Sequence, residues 1–302
     1  MTVGGDLLDP AAMYPAGEVG VRSRFVQLAS GLRVRVVESG AESAPPVVLV
    51  PGWGCTAWIF HETLVPLAEM GFHPIAVELK GHGFSDKPPS PSEYTTASLR
   101  DNLLEILDAL GLEKTALVGH SMGAAVAAHA AAASPERVTA IVLAAPVGFA
   151  GVPGLPLFKA LTPPFAIPLL PFLARRWLVR AMLRVVYGSS SRATERDVDE
   201  FWAPTQFPNF TRALRHLLHE FDWNAPFPRL DVPTMTILGT KDRLCSAKDA
   251  ERYAGGAGTA QPVLIEGAGH VIFNEAHEIV NRAIADFLRG VAEPGYILNH
   301  DA

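Results

Sequence analysis

The chain has 302 residues, 49% hydrophobic and 19% charged, an apolar content that suits one large core and excludes a disordered or fibrous protein. A formal net charge of −6 leaves no basic surplus to displace the counterions of a phosphate backbone, so nucleic acid is not expected as a partner. Cys55 and Cys245 stand far apart and outside any CxxC or Cys/His pattern, which argues against a disulfide framework and fits a reducing compartment.

Residues 1–22 read as an N-terminal extension. They lack a basic start followed by a continuous apolar run, so a cytoplasmic protein is expected. Residues 25–28 and 32–37 are β-prone runs on either side of the turn signal Ser30-Gly31 and predict an antiparallel hairpin. From residue 47 the pattern changes. Val47-Val48-Leu49-Val50 is continuously apolar and ends in Pro51-Gly52, as expected of a strand buried on both faces of a parallel sheet. Similar runs recur at 74–77, 115–118, 140–144, 235–238 and 263–265, with helical patterns at 58–70, 98–110, 122–133, 246–253 and 274–288. This alternation predicts an α/β fold with right-handed crossovers and a mostly parallel eight-stranded sheet flanked by helices.

The alternation breaks once, after the sixth strand. Residues 147–227 open on a proline-rich apolar stretch and continue with helix-like pieces at 174–186, 194–202 and 210–221. A connection this long needs structure of its own, so a helical cap is expected there. It divides the core into 23–146 and 228–291 and leaves 292–302 as a tail. Lys159 and the six prolines between 153 and 171 interrupt the longest apolar stretch, so no stable membrane insertion is expected.

Residues 115–118 run straight into Gly119-His120-Ser121-Met122-Gly123 and an alanine-rich helix. This is G-x-S-x-G in a strand–turn–helix setting, where a sharp turn lifts the serine hydroxyl above the sheet and small neighbours let backbones approach. Such a serine needs a base to take its proton and an acid to orient that base, and later strand ends should deliver both. The strand at 235–238 leads into Gly239-Thr240-Lys241-Asp242, making Asp242 the candidate acid, with Asp249 as a rival. The last strand leads into Glu266-Gly267-Ala268-Gly269-His270, making His270 the candidate base, while His277 falls on the following helix. The sixth strand runs into Ala145-Pro146-Val147 and offers no carboxylate.

The order Ser121, Asp242, His270 resembles that of the α/β-hydrolase superfamily, and the likeness extends over about residues 23–290. Pro51-Gly52-Trp53-Gly54 is similar to the family's oxyanion loop, and Gly81-His82-Gly83-Phe84-Ser85 to its G-x-G-x-S turn. The resemblance implies a serine hydrolase of the esterase, lipase or C–C hydrolase kind that uses no cofactor, with the backbone N–H groups of Trp53 and Met122 as an oxyanion hole. Two departures stand out. Pro51 occupies a place where many members carry histidine, and Glu78-Leu79-Lys80 replaces aspartate-x-arginine, a change expected to alter only a structural ion pair. Members that open epoxides or dehalogenate haloalkanes use aspartate as the nucleophile, so Ser121 argues against both activities.

The implied substrate is a small carboxylic ester or lactone with an apolar part. His120, Phe158, Phe165, Trp177 and Trp202 are candidates to line its pocket, although some of the cap's aromatic residues must pack the cap on itself. Arg176, Arg180 and Arg184 recur at i,i+4 on one helix. Three arginines fall short of a polybasic anchor, and a solvated face is expected. His82 and His129 read as packing or hydrogen-bonding residues, and no histidine pair has metal spacing, so no metal is expected. Two alternatives share these residues: a hydrolase of the C–C bond in a vinylogous diketone, and a ligand sensor with negligible turnover. A monomer and a homodimer both fit.

Overall fold

A run such as Val47-Val48-Leu49-Val50 has no polar face to offer water, so it needs apolar cover on both sides. The computed structural model supplies that cover; it describes residues 10–149, 151–169, 172, 174–188, 193–246, 253 and 262–293. Eight strands form one sheet: β1 (Val21–Gln27), β2 (Arg33–Ser39), β3 (Pro46–Val50), β4 (His73–Glu78), β5 (Thr115–His120), β6 (Val138–Ala144), β7 (Thr234–Gly239) and β8 (Val263–Ile265). Their order is β1-β2-β4-β3-β5-β6-β7-β8. Strand β2 runs antiparallel to β1 and β4, and all later neighbours are parallel.

The described helices are α1 (His61–Glu69), α2 (Thr96–Ala109), α3 (Met122–Ala133), α4 (Leu155–Leu161), α5 (Arg176–Val186), α6 (Glu195–Trp202), α7 (Phe210–Glu220), α8 (Ile272–Glu275) and α9 (His277–Ala292). Alternate residues of one strand feed two separate cores. Val48 and Val50 of β3 join α2 and α3 on one face, while Val47 and Leu49 join α1 and α9 on the other. Alanines at 124, 125, 127 and 128 are fully buried and let α3 lie close to the sheet.

Neighbouring strands β3 and β5 therefore send the chain to opposite faces, β3 toward α1 and β5 into α3. The carboxyl ends of neighbouring strands that diverge in this way are where open α/β sheets bind ligands. Residues 145–233 connect β6 to β7 and carry α4 to α7 across this edge. One end of the insertion enters each core: Leu217 and Phe221 join the α2/α3 side, Val179, Leu183 and Val198 the α1/α9 side.

Several boundaries differ from expectation. Strand β1 starts at Val21, four residues early, because an edge strand exposed on both faces over residues 22–25 tolerates Arg22, Ser23 and Arg24. The segment expected as one helix from 58 opens instead as a 3-10 turn, Ala57–Phe60, whose Trp58 N–H is met by the Thr56 side chain. The proline-rich opening of the insertion contains α4, with Pro156 in its first turn where no backbone donor is lost, and a 3-10 turn, Pro164–Leu169. The last helix is broken at Ala276 into α8 and α9. Part of the unassigned extension packs on the insertion: Met13 and Tyr14 are buried, and the Tyr14 N–H donates to Glu200 of α6. The expected helix 246–253 lies outside the described residues except at its ends, as does the rival acid Asp249. No helix among the described residues is long and apolar enough to cross a membrane.

Candidate active site

Strand β5 ends at His120 and α3 begins at Met122, so Ser121 alone makes the turn. Its φ of 55° and ψ of −124° lie where side chains are strained, at a cost of about 1–3 kcal/mol. Gly123 permits the turn, since a Cβ there would run into the carbonyl oxygens of Val50 and Pro51. Gly52 lies against the serine itself: a Cβ on it would stand 2.8 Å from the Ser121 Cβ. The end of β3 is thus pressed onto the end of β5, and the Pro51-Gly52-Trp53-Gly54 loop borders Ser121.

The loops after β7 and β8 interlock to bring the other two residues in. The Lys241 N–H donates to the Ala268 carbonyl, and the Gly267 N–H to Thr240 Oγ1. Asp242 Oδ1 accepts from the N–H groups of Leu244 at 2.7 Å and Cys245 at 3.0 Å, which fixes the carboxylate. Its Oδ2 lies 2.8 Å from His270 Nδ1, and His270 Nε2 lies 2.9 Å from Ser121 Oγ. An ionised carboxylate only accepts, so Nδ1 carries the proton in this pairing and Nε2 presents its lone pair to the serine hydroxyl. The arrangement is equipped to remove the Ser121 proton and to stabilise the resulting imidazolium. Met122 opens α3, where a backbone N–H has no partner inside the helix. The Trp53 N–H donates to no described backbone group. A pocket of about 160 Å³ opens beside Asp242, bordered by Pro146, Gly148, Arg243 and Leu244.

The insertion is bonded to each part of this assembly. Val147 N–H donates to the Ser121 carbonyl at 3.2 Å, Trp53 Nε1–H to the Leu214 carbonyl of α7 at 3.0 Å, and His270 N–H to the Val186 carbonyl of α5 at 2.7 Å. Glu275 was not singled out by sequence. One of its carboxylate oxygens accepts from Gly188 N–H at 2.8 Å, the other from Gly269 N–H at 3.0 Å, so it clamps the end of α5 to the histidine loop. An acid five residues past the histidine is visible in the sequence, but its partner is 87 positions away and carries no signal.

The pocket candidates fall elsewhere. His120 is buried, and its Nε2 lies 3.0 Å from the His270 carbonyl, so it braces the histidine loop instead of lining a pocket. Burial, reinforced by the nearby His270, holds its pKa down at about 3, which keeps it neutral. Phe158 and Trp177 are exposed because α4 and α5 turn only Leu155, Val179 and Leu183 inward, and Phe165 is exposed on the 3-10 turn between those helices. Trp202 is partly buried and donates from Nε1 to the Ala174 carbonyl, packing the insertion on itself. His277 stands at the start of α9 and takes no part in the Ser121 assembly. Among the described residues no group of three or more His, Cys, Asp and Glu is placed to hold a metal ion.

Glu78 does more than form an ion pair. Its buried carboxylate pairs with Arg35 at 3.0 Å and also accepts from the N–H groups of Ala57 at 3.1 Å and Phe84 at 2.7 Å. It joins the turn that follows the Trp53 loop to the Gly81–Ser85 turn. Lys80 pairs separately with Glu93 at 2.6 Å.

Comparison with known proteins gives the same fold. The model of a family described as alpha/beta hydrolase fold matches residues 45–276. The AB hydrolase superfamily protein YfhM of Bacillus subtilis is 27% identical, covering 89% of this chain and 99% of its own length. A 2-hydroxy-6-oxononadienedioate/2-hydroxy-6-oxononatrienedioate hydrolase of Cupriavidus pinatubonensis is 29% identical, covering 88% of this chain and 95% of its own. Among solved structures, epoxide hydrolase A from Mycobacterium thermoresistibile superposes with a TM-score of 0.74 at 25% identity, covering 89% of this chain and 98% of that one.

Proposed function

Because the chain belongs to the alpha/beta hydrolase fold family, we propose that it is a cytoplasmic, cofactor-independent serine hydrolase that cleaves a small carboxylic ester or lactone with an apolar part. The observation that carries this reading is the continuous line from Asp242 Oδ2 through His270 to Ser121 Oγ, at 2.8 and 2.9 Å. His270 Nε2 takes the Ser121 proton as Oγ attacks the carbonyl carbon, and the Asp242 carboxylate stabilises the imidazolium. The N–H groups of Trp53 and Met122 donate to the tetrahedral oxygen, each worth about 3–4 kcal/mol in such sites. His270 passes the proton to the leaving alcohol. A water deprotonated by the same nitrogen then attacks the acyl carbonyl and restores the serine. Residues 147–227 serve in this reading as a cap that keeps bulk water from the charged transition state.

Epoxide opening is named for several relatives in sequence and structure, but the residue at the elbow here is Ser121. Its attack on an epoxide carbon would leave an ether, which has no carbonyl for water to attack, so no second step would free the enzyme. Hydrolysis of a C–C bond in a vinylogous diketone is the second reading, favoured by the 29% identical relative and compatible with the same three residues.

Ser121→Ala is expected to lower kcat/KM for aryl esters by about 10⁴- to 10⁶-fold. A fluorophosphonate should label Ser121 in the wild-type protein and nothing in the variant. Undiminished turnover by Ser121→Ala would end the proposal. Ring-fission dienoates consumed faster than any ester or lactone would select the second reading.

A further inference from the structure

The insertion carries on its outside a set of side chains that soluble surfaces usually avoid. Of thirteen large apolar residues exposed among the described residues, nine lie between Leu157 and Val185. Exposure reaches 82% at Phe165, 66% at Trp177 and 65% at Leu161. On α5, Val179 and Leu183 turn into the core, while Leu178, Met182 and Val185 recur at i, i+4 and i+7 as a stripe facing away from it.

Charge in this stretch has one sign. No Asp or Glu occurs between Glu136 and Glu195, whereas residues 155–186 hold Lys159, Arg175, Arg176, Arg180 and Arg184, in a chain of net charge −6. Arg176 and Arg180 are drawn sideways onto Glu195 and Asp199, while Arg175 and Arg184 remain exposed. The arginines alone suggested a solvated face, and the exposed apolar side chains beside them change that balance.

We propose that this outer face of the insertion docks peripherally on an anionic phospholipid bilayer. Apolar and aromatic side chains enter the interface while the cations meet headgroup phosphates, the combination used by interfacial amphipathic helices. A second copy of the chain is a poorer occupant. An isologous contact would set Arg175 and Arg184 against their own copies, while the neighbouring acids Glu195 and Asp199 are already engaged by Arg176 and Arg180. The docking does not depend on Ser121 being a nucleophile.

Flotation of the full chain with vesicles of phosphatidylcholine, alone or mixed with phosphatidylglycerol, tests this. The chain should float with the anionic vesicles far more than with the neutral ones, and should be released at about 1 M salt, where the screening length falls to about 3 Å. The double variant Leu178→Glu, Met182→Glu should lose at least about tenfold in partitioning with an unchanged circular dichroism spectrum. Arg184→Gln, which leaves the apolar stripe intact, should lose about fivefold. A chain that stays at the bottom of the gradient with both vesicles overturns the proposal. So does a dimer in light scattering that the double variant dissolves, which would give the face to a second copy.

Discussion

Strand β5 and helix α5 are both rich in apolar residues, and the fold uses them differently. All six residues of β5 are buried, whereas α5 buries only Val179 and Leu183 among its eleven. The strand lies between two helical layers, so each of its side chains meets a packing partner. The helix has a core beneath one face only. Two-sided burial leaves few residue types and few backbone paths at a position, so the Ser121 turn after β5 is held by backbone contacts from Val50 and Pro51. One-sided burial leaves most of a helix free to vary, and α5 reaches the site only at its end, through the Val186 carbonyl and the Glu275 clamp on Gly188.

If the core holds the chemistry and the insertion only covers it, the largest effect belongs to the core. Asp242→Asn keeps the volume but removes the charge and the fixed acceptor for His270 Nδ1–H. Its kcat on aryl esters should fall about 10⁴-fold with little change in KM. A loss confined to KM would mean that Asp242 shapes the pocket and leaves the orientation of His270 to other groups.

The same contrast explains what could be read from sequence. The inner strands were legible because burial on both faces forces unbroken apolar runs, and Ser121, Asp242 and His270 were legible because each directly follows such a run. The edge strand β1 was shortened because an exposed strand tolerates Arg22 and Arg24. Phe158, Phe165 and Trp177 suit a pocket by type yet stand exposed, because an aromatic side chain on an element with one-sided cover gives no sign of which way it faces. Glu275 and the Val186 carbonyl were missed for another reason: their partners are set by how the insertion docks, and no local pattern encodes that.

A second difference lies in how the core treats its histidines. Burial holds His120 near 3 and His82 near 4, both below the ordinary value of about 6.5. Between those values and about 6.5 the unfolded chain binds protons that the folded chain refuses, so stability rises with pH. The full contribution is present above about 6.5 and is lost as pH falls toward 4 and 3, by about 1.4 kcal/mol per pH unit for each histidine. Urea titrations from about pH 7 to about pH 5 should show this slope. His82→Gln should flatten it by one histidine's share. An unchanged slope would mean that water reaches His82.

The smallest expected effect probes the joint between the two regions. Thr194 and Asp197 form a capping box at the start of α6: Thr194 Oγ1 accepts from Asp197 N–H at 3.1 Å, and Asp197 Oδ2 accepts from Thr194 N–H at 2.7 Å. The other oxygen of Asp197 accepts from Trp58 Nε1–H at 3.0 Å and Asn274 Nδ2–H at 3.2 Å, both in the core. One carboxylate therefore caps a helix of the insertion and clasps that helix to the sheet domain. Thr194→Ala removes the hydroxyl and leaves the Trp58 bond intact, at a cost of about 1 kcal/mol. If the insertion opens by itself, amide exchange across α6 should quicken about fivefold while the global urea midpoint barely moves. If the midpoint falls by the full amount and exchange in α6 tracks exchange in β5, the Asp197 clasp binds insertion and core into one cooperative unit. Site access would then require more than a swinging cap.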